Sequence, residues 1–315
     1  MLVAVKPGEN QVISRDLIAD LLSDKRSENT KRAYQNDLND FFMAMTGGEA
    51  SPGKINHFLN MARFDAVSIG LQYKAKMIDR KLAEATINRR LAAIKSLVKY
   101  AKIVGLCEWD LSDIQGEKIK QYRDTSGVTV PQMGDILNVP DRSTVKGKRD
   151  YAMLRVFWEL ALRRGEVAKI DIEDFDPDTC SIAILGKGRG TQKESMTITE
   201  KTRDAILEWL ATRTDLTPKT PLFVAVDRAY AGNRLTGEGI AKFVKKMSKA
   251  AGISKKMSPH RLRHSSITAA LEATNGNVAK VQKLSRHVKI ETVMVYEDHR
   301  VNQQKQVTDL LAGLA

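Results

Sequence analysis

Cysteine is scarce in this chain. Cys107 and Cys180 are the only two in 315 residues. They are too few for a disulfide framework and stand at no metal-binding spacing. Reduced thiols in a cytosolic protein are the expectation. No run approaches the roughly 18 apolar residues of a membrane span. The first ten residues carry Lys6, Pro7 and Glu9 and lack the sustained apolar core of a secretory signal. Neither an internal repeat nor a low-complexity tract is present, which sets aside solenoids and biased arrays. Acidic residues are in deficit: 51 Lys and Arg face 38 Asp and Glu, a net charge of +13. Such an excess favours a polyanionic partner through phosphate contacts and counterion release. On charge alone, a merely basic protein fits as well. Both halves of the chain share the excess, as expected if both touch one long ligand.

What is present reads as two ordinary globular domains. The length and the 42% hydrophobic content suffice for a core in each. Residues 1–107 are predicted to be all-α, with a loose arm over 1–12. One helix starts near Ser27 and carries the stripe Tyr34, Leu38, Phe41, Phe42 and Met45, and Thr46-Gly47-Gly48 ends it. A second runs from about Glu84 to Val104, with Gly105 at its C-terminal cap. Its far side presents Arg89, Arg90, Lys95, Lys99 and Lys102, either a solvated face or a row of DNA-backbone contacts. Residues 108–128 are polar and read as an interdomain linker. The second domain, 129–315, opens on a helix at Thr129-Val130-Pro131-Gln132. Helical pattern follows from Lys148 to Glu166. Strand composition marks Val167–Phe175, Ser181–Leu185 and Ser195–Thr199, the last two joined as a hairpin by a glycine-rich basic tip. Helices are expected near 200–213, 236–251, 259–274, 277–286 and 290–297, with an amphipathic segment from Val301 to Leu314. The fold class is mainly α with a small antiparallel β-sheet.

The chemistry concentrates in a few segments. Ser258 is a natural N-cap and Pro259 a natural first helical residue, so His260 falls in a first turn that favours an anion. Arg263 follows at i+3 and offers a bidentate fork for phosphate oxygens. His264, at i+4 from His260, raises a zinc reading. The intervening Arg-Leu-Arg lacks the glutamate of the zinc protease motif, and the neighbouring arginines repel a cation. Upstream, Leu162-Arg163-Arg164-Gly165-Glu166 closes an apolar helix and sets Glu166 at i+3 from Arg163, as a local ion pair or as the carboxylate of a phosphate clamp. Lys187 sits between Gly186 and Gly188 on the hairpin tip beside Arg189, and Lys193 on the same loop competes with it as a proton donor. His287 and Tyr296 complete the set. Taken singly, each has a bland reading: a basic surface helix, a solubilising turn, a half-buried tyrosine.

Together these segments resemble the tyrosine recombinase (phage integrase) family. Ala161-Leu162-Arg163-Arg164-Gly165-Glu166 matches its first arginine box and Gly186-Lys187-Gly188 its hairpin lysine. His260-Arg261-Leu262-Arg263-His264 matches its His-x-x-Arg box, Leu284-Ser285-Arg286-His287 the box usually written Leu-Gly-His, and Val295-Tyr296 the nucleophile segment. Ala161 and Arg286 stand where the family usually has glycine, and Arg164 where it often has an apolar residue. The resemblance implies a two-domain DNA clamp, an all-α core-binding domain plus an α+β catalytic domain. It implies that Arg163, His260, Arg263 and His287 contact the scissile phosphate, with Glu166 and His264 in support. Tyr296 attacks and Lys187 protonates the leaving oxygen, with neither metal nor ATP. The implied partners are double-stranded DNA with a specific core site and three further copies of the chain: a homotetramer on DNA, a monomer or weak dimer off it. The expected place is the cytoplasm, at the nucleoid. Arg286 is expected as an extra phosphate contact or a residue at an interface in trans, and Val301–Leu314 as a helix docked on a neighbour or on its own domain. No further arm-binding domain is expected. A type IB-like DNA topoisomerase and a non-cleaving architectural DNA-binding protein are the competing readings.

Overall fold

The computed structural model describes residues 16–118, 127–186, 190–297, 308–309 and 311–314. The chain divides into two compact units, Met1–Tyr122 and Arg123–Ala315. The described part of the first is helical: α1 (Leu17–Ser23), α2 (Glu28–Thr46), α3 (Pro52–Leu59), α4 (Arg63–Asp79) and α5 (Glu84–Ile103). Ser27 caps α2 by accepting from Thr30 N–H, and Gly47 ends it in the left-handed region at φ 74°, a conformation open to glycine at little cost. Leu38, Phe41 and Phe42 from α2 meet Ile87, Leu91, Ile94 and Val98 from α5 in one core. The segment expected to begin a linker at 108 instead packs on this unit. Leu111 and Ile114 are buried, Trp109 donates to Met61 O, and Asn88 accepts from Glu117 N–H. Residues 119–126 lie outside the described ones.

The basic stripe of α5 is largely committed within its own unit. Arg89 pairs with Asp37, Arg90 with Asp40, and Lys95 donates to Ile114 O at 2.6 Å. Lys99 is exposed. Asp40 also accepts from Tyr73 Oη at 2.7 Å and from both terminal nitrogens of Arg80 at 3.0 Å. Burial pushes the Asp40 carboxyl up, but these donors outweigh it and hold it below the ordinary carboxylate range.

The second unit opens with α6 (Val130–Asn138), whose capping box joins Thr129 and Gln132. Next comes α7 (Val145–Leu160), which stops at Ala161 instead of running on to Glu166, because Ala161 is left-handed at φ 45°. A single turn, α8 (Arg164–Val167), follows. Most of the strand expected over 167–175 is absent. Ile172–Asp174 forms a 3-10 turn held by Asp171 and Asp174, and only β1 (Phe175–Asp176) pairs. It meets β2 (Ser181–Leu185), which meets β3 (Lys193–Thr197), all antiparallel. Alternation turns Ile182 and Ile184 into the core. There follow α9 (Glu200–Leu210), α10 (Gly237–Ala250), α11 (Pro259–Ala273), α12 (Val278–Ser285) and α13 (Glu291–Glu297). Ser258 caps α11. Gly127 lies against α11 so closely that a Cβ there would fall 1.9 Å from Ser265 Oγ.

Replacing Asp40 with alanine leaves the Tyr73 hydroxyl and two arginines without their acceptor. A loss of about 2 kcal/mol in stability is expected by urea titration. Lys99→Ala, in the same experiment, is expected to stay within about 0.5 kcal/mol of the parent.

Candidate active site

Arg163, Glu166, Arg263, His264, Arg286, His287 and Tyr296 come from four segments spread between positions 163 and 296. They meet where the C-terminal ends of α7 and α12 approach the first two turns of α11. Those helix ends carry carbonyls without intrahelical partners. Arg263 reaches both, donating to Ala161 O and, at 2.5 Å, to Ser285 O. Its residue is only 1% exposed. Burial and the nearby Arg163 bring its guanidinium down to about 10, still charged at neutral pH. A buried cation is tolerated only when its donors are satisfied, and here two helix ends satisfy them.

Arg263 Nη2 also lies 3.1 Å from His287 Nε2. Arginine can only donate, so that nitrogen accepts and the imidazole proton resides on Nδ1. Burial and the arginines at 263, 163 and 286 pull the His287 imidazole down to about 4. Gln282 steadies the segment by donating to His287 O at 3.0 Å.

Arg163 is held by Glu166 as the i+3 spacing implies. Its Nη1 meets Oε1 at 2.8 Å and its backbone N–H donates to Oε2 at 2.8 Å. The Arg163 side chain remains 32% exposed, whereas that of Glu166 is 3% exposed. Burial raises the Glu166 carboxyl, but Arg286 and Arg163 outweigh it and hold it below its ordinary value.

Arg286 corrects an expectation. Instead of reaching out to a phosphate or to another protomer, its side chain is 3% exposed and pairs with Glu166 Oε2 at 2.6 Å. It also donates to Leu160 O at 3.3 Å and Leu284 O at 3.4 Å. The sequence offered one signal that this residue is unusual: it fills the glycine place of its box. The geometry explains that place, since Arg286 is left-handed at φ 55°. Ala161, the other replaced glycine, is left-handed too.

Tyr296 lies on α13 with its ring among Ala161, Ile267, Leu271, Val281 and Val293. Burial raises its phenol above the ordinary value, against the opposing charges of Arg263 and Arg163. Its hydroxyl is 3.3 Å from His264 Nε2, and that nitrogen is 2.9 Å from His260 Nε2. His264 is buried and His260 exposed. A chain of imidazoles thus leads from the phenol to the surface. Lys193 is bound by Asp174, which raises its ammonium above the ordinary value. Lys187 and Arg189 lie outside the described residues, as do 301–307 and 310 of the expected terminal helix. The described helices include none long and apolar enough to cross a membrane.

Two guanidiniums, imidazoles and a buried phenol are thus gathered at one place, the residue types that the resemblance implies. The family comparison agrees. Residues 128–303 match the phage integrase family and residues 15–103 its N-terminal SAM-like domain. The chain belongs to the phage integrase family, the tyrosine recombinases, and is a DNA recombinase. Among relatives, a tyrosine recombinase of Synechocystis sp. is 45% identical over 98% of both chains. One of Synechococcus elongatus is 43% identical over 95% of this chain and 93% of its own. The fold is also that of a lambda integrase fragment, residues 75–356, solved as a dimer on a core site. The TM-score is 0.64 at 13% identity, covering 91% of this chain and 94% of that one. XerH recombinase bound to a palindromic difH substrate gives 0.62 at 17% identity over 94% and 95%.

The His287 titration can be read directly. By NMR, free protein is expected to show its inflection near 4, not near the ordinary 6.5. The unfolded chain takes up that proton at the higher pH, so native stability falls as pH drops through this window. His287→Gln should flatten that part of the stability–pH curve; an unchanged slope places the acid sensitivity elsewhere.

Proposed function

We propose that this chain is a site-specific recombinase that cuts and rejoins duplex DNA through a 3′-phosphotyrosyl intermediate. The observation that carries the reading is the convergence of Arg163, Arg263 and His287 beside a buried tyrosine whose hydroxyl lies 3.3 Å from an imidazole nitrogen of His264. Solved proteins of the same fold hold DNA, XerH its difH substrate and the lambda integrase fragment a core site, which supports duplex DNA as the ligand.

Tyr296 Oη attacks the scissile phosphorus. A new O–P bond forms as the bond to the 5′-oxygen breaks. The phenol proton passes to His264 Nε2, 3.3 Å from the hydroxyl. Arg163, Arg263, His260 and His287 stabilise the charge on the pentacoordinate phosphorus. Lys187 protonates the departing 5′-oxygen. The engagement of Lys193 by Asp174 favours Lys187 for this step. The phosphoester energy stays in the covalent link, so the cycle needs neither ATP nor a metal ion. The 5′-hydroxyl of a second duplex reverses the step, and strand exchange proceeds through a Holliday junction in a tetramer. Lys99, exposed on α5, and Arg189 contact the DNA backbone.

The test is a nicked substrate bearing the recombination site, incubated in chelator and run on a denaturing gel. A covalent adduct mapping to Tyr296 is expected. Tyr296→Phe should bind the same DNA within about threefold and form no adduct; an adduct from that variant moves the nucleophile elsewhere. Arg163→Ala should slow adduct formation about 100-fold or more while changing binding less than about tenfold. Equal losses in both would assign Arg163 to binding alone.

A further inference from the structure

We propose that Arg286 is a positioning residue for Arg163, acting through the carboxylate they share. This rests on the cleavage reading above. Three observations carry it. Arg286 adopts a left-handed backbone at φ 55°, a conformation unfavourable for a non-glycine residue, and its side chain makes contacts that glycine could not. That side chain is 3% exposed, as is its partner Glu166, and its Nη2 is spent on that carboxylate at 2.6 Å. Third, Glu166 divides its bonds. Oε1 serves Arg163 Nη1, while Oε2 serves Arg286 Nη2 and the Arg163 backbone N–H.

The division matters because a carboxylate left to one arginine forms a two-pronged fork with it. Such a fork would turn the Arg163 guanidinium toward Glu166 and cancel its charge. Arg286 occupies Oε2 from beneath. It neutralises Glu166 and leaves Arg163 with one side-chain bond to the carboxylate and its remaining N–H groups for an anionic oxygen. Arg286 also ties Leu160 O to Leu284 O, and so fixes the two helix ends from which Arg163 and His287 emerge.

The experiment compares wild type, Arg286→Met and the double variant Glu166→Gln/Arg286→Met in the nicked-substrate assay, with DNA affinity measured separately. Arg286→Met should form adduct about 10- to 100-fold more slowly while binding within about threefold of wild type. The double variant should regain at least about tenfold of that rate, because a neutral amide no longer draws Arg163 away. A purely structural staple would move melting temperature and both activities together, and the second substitution would not restore the rate. Three results overturn the proposal: a wild-type rate in Arg286→Met, parallel loss of binding and cleavage, or a double variant as slow as the single. Should Arg286→Met not fold, the double variant, which buries no lone charge, decides alone. Cleavage within about tenfold of wild type is then expected, and a larger loss overturns the proposal. Failure of wild type itself to form an adduct sinks the cleavage reading instead, and the two failures stay distinct.

Discussion

The second unit depends on how it places positive charge where two helices end. The C-termini of α7 and α12 bring unpaired carbonyls and the negative ends of two helix dipoles to one place. Left alone, that is a poor site for an anion. Two buried arginines reverse its sign, each taking one carbonyl from each helix. Arg263 takes those of Ala161 and Ser285, and Arg286 those of Leu160 and Leu284. The same bonds that cap the helices lock the guanidiniums, so the site's electrostatics and its packing cannot be separated.

This arrangement explains two departures from the family's usual residues. Ala161 and Arg286 both turn the chain in the left-handed region just past a helix, where glycine is the ordinary solution. Alanine there adds a methyl that is fully buried among Ile267, Leu271 and Val293. Arginine there adds a counter-ion for Glu166. In each case a side chain offsets backbone strain with a contact that glycine lacks. The consequence for His287 is immediate. Half-buried and surrounded by three arginines, its imidazole is pulled down to about 4.

The N-terminal unit shows the same rule in a milder form. Asp37 and Asp40 on α2 draw Arg89 and Arg90 out of the basic row on α5, and a carbonyl takes Lys95. A charged face that looks available in one dimension is spent in three, because acidic residues more than forty positions away lie on the facing helix. The net positive charge of the chain survives this pairing, but its location on the surface is not where a helical wheel puts it.

The sequence by itself determined the helices with strong caps and stripes, α2, α5 and α11 above all, because capping and amphipathic spacing are local. It also picked out the candidates for the chemistry, Arg163 with Glu166 at i+3, the His260–His264 segment, His287 and Tyr296, since their types and order match one family's motifs. Tertiary structure alone decided that α7 stops at Ala161, that the segment after 107 packs on the first unit, and that 167–175 yields little strand. Each outcome rests on partners distant in sequence or on turns that propensity does not register. It also decided the role of Arg286. A side chain of that length can point to solvent or inward, and only the burial of Glu166 between two arginines turns it inward.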